Sequence, residues 1–159
     1  MFNHASPDYV CPICVAISGK ETSDTLIRQS DIVYKDNFVT VFISSFFIGK
    51  NSGTVIVTPN KHYENIYDLP LKYSSHIAKI AKVIAIAVRN TYKCDGITTL
   101  QNNEPAGNQH AFHYHLNIFP RYENDNLHKN MLDKKTPTPR ERAPYAEKLR
   151  KELKKKFLT

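Results

Sequence analysis

His113, His115 and Asn117 recur at every second position in the run His113-Tyr114-His115-Leu116-Asn117. A β-strand turns alternate side chains to opposite faces. A strand over Ala111–Phe119 therefore puts His113, His115 and Asn117 on one face and Phe112, Tyr114, Leu116 and Ile118 in the core. Neighbours on the polar face stand about 7 Å apart, from a rise of roughly 3.3 Å per residue. Thr, Lys or Glu would serve a merely solvated face. Imidazoles instead supply nucleophiles and proton carriers near neutral pH. Far upstream, Cys11 and Cys14 stand at C-x-x-C spacing, which is half of a tetrahedral metal site or a redox pair. The redox reading expects a helix and a βαβ context after the motif, and the sequence pattern suggests neither.

The elements that must hold these groups follow from periodicity. Residues 1–30 read as an irregular arm. Ile32-Val33-Tyr34 and Phe38 to Ile43 are β-rich runs joined by the turn chemistry of Lys35-Asp36-Asn37. Thr54 to Thr58, closed by Pro59, is almost wholly apolar and reads as a central strand. Ile77, Ile80, Ala81, Ile84, Ala87 and Val88 recur at helical spacing and predict one long helix, Leu71 to Tyr92. Cys94-Asp95-Gly96 ends it, and Ile97 to Gln101 is the next strand. The polar loop Asn102 to Gln109 leads into the histidine strand, which Pro120 stops. Pro144 opens a final helix to Phe157, because proline fits a first helical turn. The pattern is α+β with a mainly antiparallel sheet, one long helix and a C-terminal helix. It forms a single domain over 1–159, made of an arm (1–30), a core (31–121) and a basic tail (122–159).

Charge and cysteine usage narrow the class. The formal net charge is +7 over 159 residues, yet from Asp133 onward ten Lys or Arg face four Asp or Glu. The surplus sits in the tail, where a solvated helix face is the first expectation; contact with RNA or an acidic partner is possible but not favoured. No apolar run approaches the roughly 20 residues that span a bilayer, and the N-terminal residues lack a basic start and apolar stretch. Cys11, Cys14 and Cys94 make an odd count, unlike a secreted disulfide framework. The expected compartment is the cytoplasm.

The run Gln101 to Gln109, then His110-Ala111-Phe112-His113-Tyr114-His115-Leu116-Asn117 and Ile118-Phe119-Pro120-Arg121, resembles the signature of histidine-triad (HIT) proteins. The resemblance extends through Tyr34-Lys35-Asp36, the N-S-G of Asn51 to Gly53 and Pro59 to Leu69. It reaches Arg142 to Leu149, which is similar to the C-terminal helix of bacterial members. Two departures stand out. The third triad position is Asn117, and the usual acid or amide for the ribose hydroxyls is replaced by Ser44 and Ser45. The related galactose-1-phosphate uridylyltransferase family also carries an amide at the third position and reacts through its middle histidine.

The resemblance implies that His115 attacks the α-phosphorus of a purine nucleotide to give a nucleotidyl-histidine, which water hydrolyses. Asn102 and Gln109 would contact phosphate or ribose, and Ser44 the ribose. His110 would donate to the phosphate or leaving group, and Asn117 would hold a phosphate oxygen. It further implies a structural zinc on Cys11, Cys14, His62 and His113, and a homodimer. The alternatives are a non-catalytic nucleotide-binding module and, more weakly, an RNA-binding protein working through the tail.

Overall fold

The computed structural model describes residues 2–23 and 25–157. Its centre is a five-stranded antiparallel sheet in the order β1-β2-β4-β6-β5. The strands are β1 (Ile32–Lys35), β2 (Val39–Ile43), β4 (Val55–Pro59), β5 (Gly96–Gln101) and β6 (Leu116–Arg121). A separate ribbon pairs β3 (Phe47–Ile48) with β7 (Lys134–Lys135). The helices are α1 (Pro12–Ile17), α2 (Leu71–Tyr92) and α3 (Pro139–Phe157). The α+β reading with its long helix agrees with these elements.

One face of the sheet is the core. Val39, Val41, Ile43, Val55, Val57 and Ile118 meet the α2 stripe Ile77, Ile80, Ala81, Ile84, Ala87 and Val88, and Ala146, Leu149 and Leu153 of α3 close the cluster. Ile84 is completely buried, and truncating such a residue to Ala costs about 2–5 kcal/mol. The opposite face is shared by two smaller apolar clusters. One joins the arm to β2 through Ile13, Ile27 and Phe42. The other gathers Ile48, Phe119 and Leu127. A cavity lies between them.

Several expectations change. The arm is not wholly irregular, since α1 follows the first cysteine: Cys11 is its N-cap, with Sγ accepting from the Cys14 N–H, and Pro12 takes the first position. The ladder of β6 begins at Leu116, not Ala111, because His113 N–H donates to Ala111 carbonyl in a tight turn. β6 then runs through Pro120, which faces Ile97, to Arg121.

The last helix begins at Pro139, and Pro144 lies inside it. Its start is a reciprocal cap: Glu141 N–H donates to Thr138 Oγ1, and Thr138 N–H donates to Glu141 Oε2. The tail charge is partly internal. Arg142 is buried and donates to both Asp31 carboxylate oxygens and to the carbonyls of Pro137 and Leu26. Gly53, at φ +81, lies so close to Tyr145 of α3 that a Cβ there would overlap the ring.

Candidate active site and metal centre

The turn at residues 111–113 decides where each triad residue points. His115 and Asn117 line the cavity. His113 does not share their face; its ring is buried and reaches the two cysteines. Phe112 packs on Tyr9 and His4 instead of joining the main core, whereas Tyr114, Leu116 and Ile118 do face that core.

The Cys/His cluster is tight. His113 Nδ1 lies 3.3 Å from Cys11 Sγ and 3.4 Å from Cys14 Sγ, and His62 Nδ1 lies 3.3 Å from Cys14 Sγ. The four donor atoms lie within 4.8 Å of one another. A tetrahedral zinc with bonds of about 2.0–2.3 Å sets its ligands roughly 3.3–3.8 Å apart, so the donor set is compatible with zinc. The other face of His113 is fixed too: Nε2 donates to Pro59 carbonyl at 3.0 Å, which leaves Nδ1 as the lone pair. Burial, helped by the neighbouring His62 and His115, pushes His113 down to about 4 despite the Pro59 bond, so the ring is neutral. Burial and the adjacent Cys11 push the Cys14 thiol up to about 12.

His115 Nδ1 donates to the carbonyl of His113 at 2.7 Å. A carbonyl only accepts, so the proton sits on Nδ1 and Nε2 presents a lone pair. Burial lowers the His115 pKa, the carbonyl bond opposes the shift and His110 adds to it. The ring is thus neutral near pH 7, the state a nucleophile needs.

The cavity holds about 490 Å³ and is lined by Ser44, Ser45, Asn102, His110, His115 and Asn117 among others. Asn117 Nδ2 donates to the carbonyl of Leu100, its partner across the sheet. Asn102 Nδ2 donates to Asn108 carbonyl. Ser44 Oγ accepts from Phe46 N–H. His110 is exposed at the rim.

Gln109 is the residue that departs from expectation. It is buried and absent from the lining. Its oxygen accepts from Glu104 N–H, and its amide nitrogen donates to the carbonyls of Glu64 and Ala111. With its amide spent inside the loop, it shapes residues 104–111 and does not face the cavity.

Tyr9, Phe42 and Lys134 also line the cavity, and periodicity does not single them out. Tyr9 Oη accepts from Phe112 N–H and ties the arm to the histidine segment. No single motif marks these residues, although the Thr138-x-x-Glu141 capping box could have located α3 and, with it, the end of the ribbon before it.

Known proteins share this architecture. The model of the HIT domain matches residues 27–124. Protein hit of Bacillus subtilis is 32% identical over 112 residues, covering 70% of this chain and 71% of that protein. The crystal structure of a Hit-like protein involved in cell-cycle regulation from Bartonella henselae, with an unknown ligand, superposes with a TM-score of 0.72 at 28% identity. It covers 92% of this chain and 99% of that one. A zinc-bound histidine triad family protein from Mycobacterium smegmatis superposes with a TM-score of 0.73 at 23% identity, over 92% and 95% of the two chains. From the matched domain, the relative and the shared fold, the chain belongs to the HIT family.

Proposed function

We propose that this protein is a nucleotide hydrolase or nucleotidyltransferase in which His115 attacks the α-phosphate of a purine nucleotide conjugate. The observation that carries this reading is the 2.7 Å bond from His115 Nδ1 to His113 carbonyl, with the same ring lining the cavity. In the first step Nε2 forms a bond to phosphorus while the bond from phosphorus to the leaving group breaks. The leaving group departs with the electron pair and takes a proton from water or from His110 at the rim. In the second step water attacks the same phosphorus and gives up a proton to solvent, the P–N bond breaks with its electron pair returning to Nε2, and neutral His115 is restored. Asn102 and the Asn117 amide supply neutral donors to the phosphate oxygens, whose charge builds in the transition state. Ser44 contacts the ribose.

Cys11, Cys14, His62 and His113 are proposed to hold zinc. Four protein ligands would leave no open position, so a bound zinc would supply folding energy and no activated water. The zinc-bound relative supports this assignment. A homodimer is part of the proposal, as the family resemblance implies; the edge strands β1 and β5 of the sheet have no further strand partner among the described residues. Among the described residues no helix is long and apolar enough to cross a membrane, and a cytoplasmic location is part of the proposal. Against the RNA-binding alternative, Ala146, Leu149 and Leu153 of α3 are buried in the core, so the tail is not a free arm.

The test is a panel of phosphoramidates, dinucleoside polyphosphates, adenylylated amines and sugar nucleotides run on wild type and His115→Ala. Turnover of at least one class, abolished in the variant, is the expected result. Binding without turnover in any class would make the protein a non-catalytic nucleotide-binding module.

A further inference from the structure

Among the described residues that line the cavity, Lys134 carries the one fixed charge, and no Asp or Glu is present. The pairing pattern gives its position. Ser44 N–H donates to Thr54 carbonyl. Val55 lies opposite Ile118, which brings Thr54 beside Phe119. Phe119 packs on Ile48, and Ile48 pairs with Lys134. Lys134 therefore belongs to the Ser44–Phe119 end of the cavity. Residue 119 lies four positions along the chain from His115, roughly 13 Å at the strand rise, so the backbone of Lys134 stands at the other end of the cavity from that of His115.

The ribbon also selects which lysine faces a ligand. Phe47, opposite Lys135, is buried against Tyr145, whereas Ile48 and Lys134 line the cavity. At the same end, Ser44 Oγ accepts from Phe46 N–H, and its own proton is left for an acceptor.

We infer that Lys134 and Ser44 form a second anion subsite, which takes a phosphate carried by the substrate in addition to the one His115 attacks. This rests on the nucleotide reading above and narrows it to nucleotides bearing a further phosphate. That phosphate belongs either to the ribose, beside the Ser44 contact proposed above, or to the chain beyond the α-position, in which case Ser44 serves the phosphate in place of the ribose. Both present the same charged oxygens to an ammonium and a hydroxyl. Lys134 is exposed, so the contact weakens with salt.

The experiment measures binding to His115→Ala and to His115→Ala/Lys134→Met at low and physiological salt. The probes are adenosine and guanosine 5′-monophosphates, 5′-diphosphates, 2′,5′-bisphosphates and 3′,5′-bisphosphates. Losing one charge-assisted contact should weaken a doubly phosphorylated ligand about tenfold and a monophosphate less than about twofold. The probe that loses affinity identifies where the second phosphate sits, and Lys134→Arg should restore the preference. Equal weakening of monophosphates and doubly phosphorylated ligands, or no weakening, would overturn the subsite while leaving the nucleotide reading standing. No binding of any probe to either protein would overturn both.

Discussion

His113 holds His115 through its backbone while its own ring joins the two cysteines. The carbonyl accepts from His115 Nδ1 at 2.7 Å, and His113 Nδ1 lies 3.3 and 3.4 Å from the sulfurs of Cys11 and Cys14. A single residue thus couples the cluster that ties down the N-terminal arm to the ring that faces the cavity. The link is short because the tight turn at Ala111–His113 takes the His113 ring out of strand register and leaves its carbonyl beside His115.

The purified protein is expected to carry about one zinc per chain by elemental analysis. Cys11→Ser should release it and cost at least about 3 kcal/mol, or roughly 6–12 °C in Tm for a chain of this size. His113→Ala should do the same, since it removes a ligand and the Pro59 bond together. Metal-free protein of unchanged Tm would refute the assignment.

Arg142 satisfies Asp31 from within the core, with side chains only 2% and 1% exposed. Removing one member of such a pair leaves a buried charge, and Arg142→Ala is expected to cost about 3–5 kcal/mol in denaturant unfolding. Because Arg142 also donates to the carbonyl of Leu26, which lines the cavity, nucleotide affinity should fall in the same variant. A loss under about 1 kcal/mol would show that α3 is held by its apolar face alone.

Asp125 accepts from Arg121, from Asn51 and from the N–H groups of Tyr122 and Leu127. These bonds, that of Arg121 foremost, hold its carboxyl far below the usual range. The folded carboxyl titrates lower than the unfolded one, so the unfolded chain binds more protons in acid. The stabilisation is complete above the unfolded pKa of about 3.9 and is lost as pH falls toward the folded value. Arg121 is a quarter exposed, so Asp125→Asn is expected to cost about 2 kcal/mol at pH 7. Urea midpoints across acid pH should fall less steeply in the variant. Parallel curves would remove Asp125 from the acid response.

Much of this architecture is written in periodicity. The stripe from Ile77 to Val88 marks α2, and the apolar run before Pro59 marks β4, because burial acts on every residue of such segments. The chemistry-bearing types, two histidines with an amide and a C-x-x-C, were equally readable. Spacing alone could not reveal that Ala111–His113 turns, since the bond from His113 N–H to Ala111 carbonyl leaves no composition signal. The inward turn of Gln109 is hidden from the sequence for a related reason. Its loop passes through left-handed backbone at Asn108 and a positive φ at Glu104, and those angles fold the amide inward. Lys134 depends on a two-residue ribbon, too short for any alternation to register. Proline suits a first helical turn, yet Pro144 lies within α3 and the cap forms at Thr138.

On the proposed mechanism, the leaving-group preference follows from Asn117. Its amide is held by Leu100 carbonyl and offers only a neutral N–H, whereas a histidine there could pass a proton. General acid help is worth about 10²- to 10⁴-fold and matters most for poor leaving groups. Asn117→His should therefore raise the rate on a phosphoramidate more than on an activated ester of the same nucleotide. Equal effects on both substrates would show that Asn117 only positions the phosphate.

The most direct test of the account is to catch the covalent intermediate. Wild-type protein is mixed with a labelled nucleotide conjugate, quenched at early times, digested and mapped by mass spectrometry under conditions that preserve a P–N bond. The account predicts a nucleotide mass on the peptide containing His115, appearing before product and absent from His115→Ala, while His110→Ala still forms it. Turnover with no adduct at any time, or an adduct that survives His115→Ala, would contradict it.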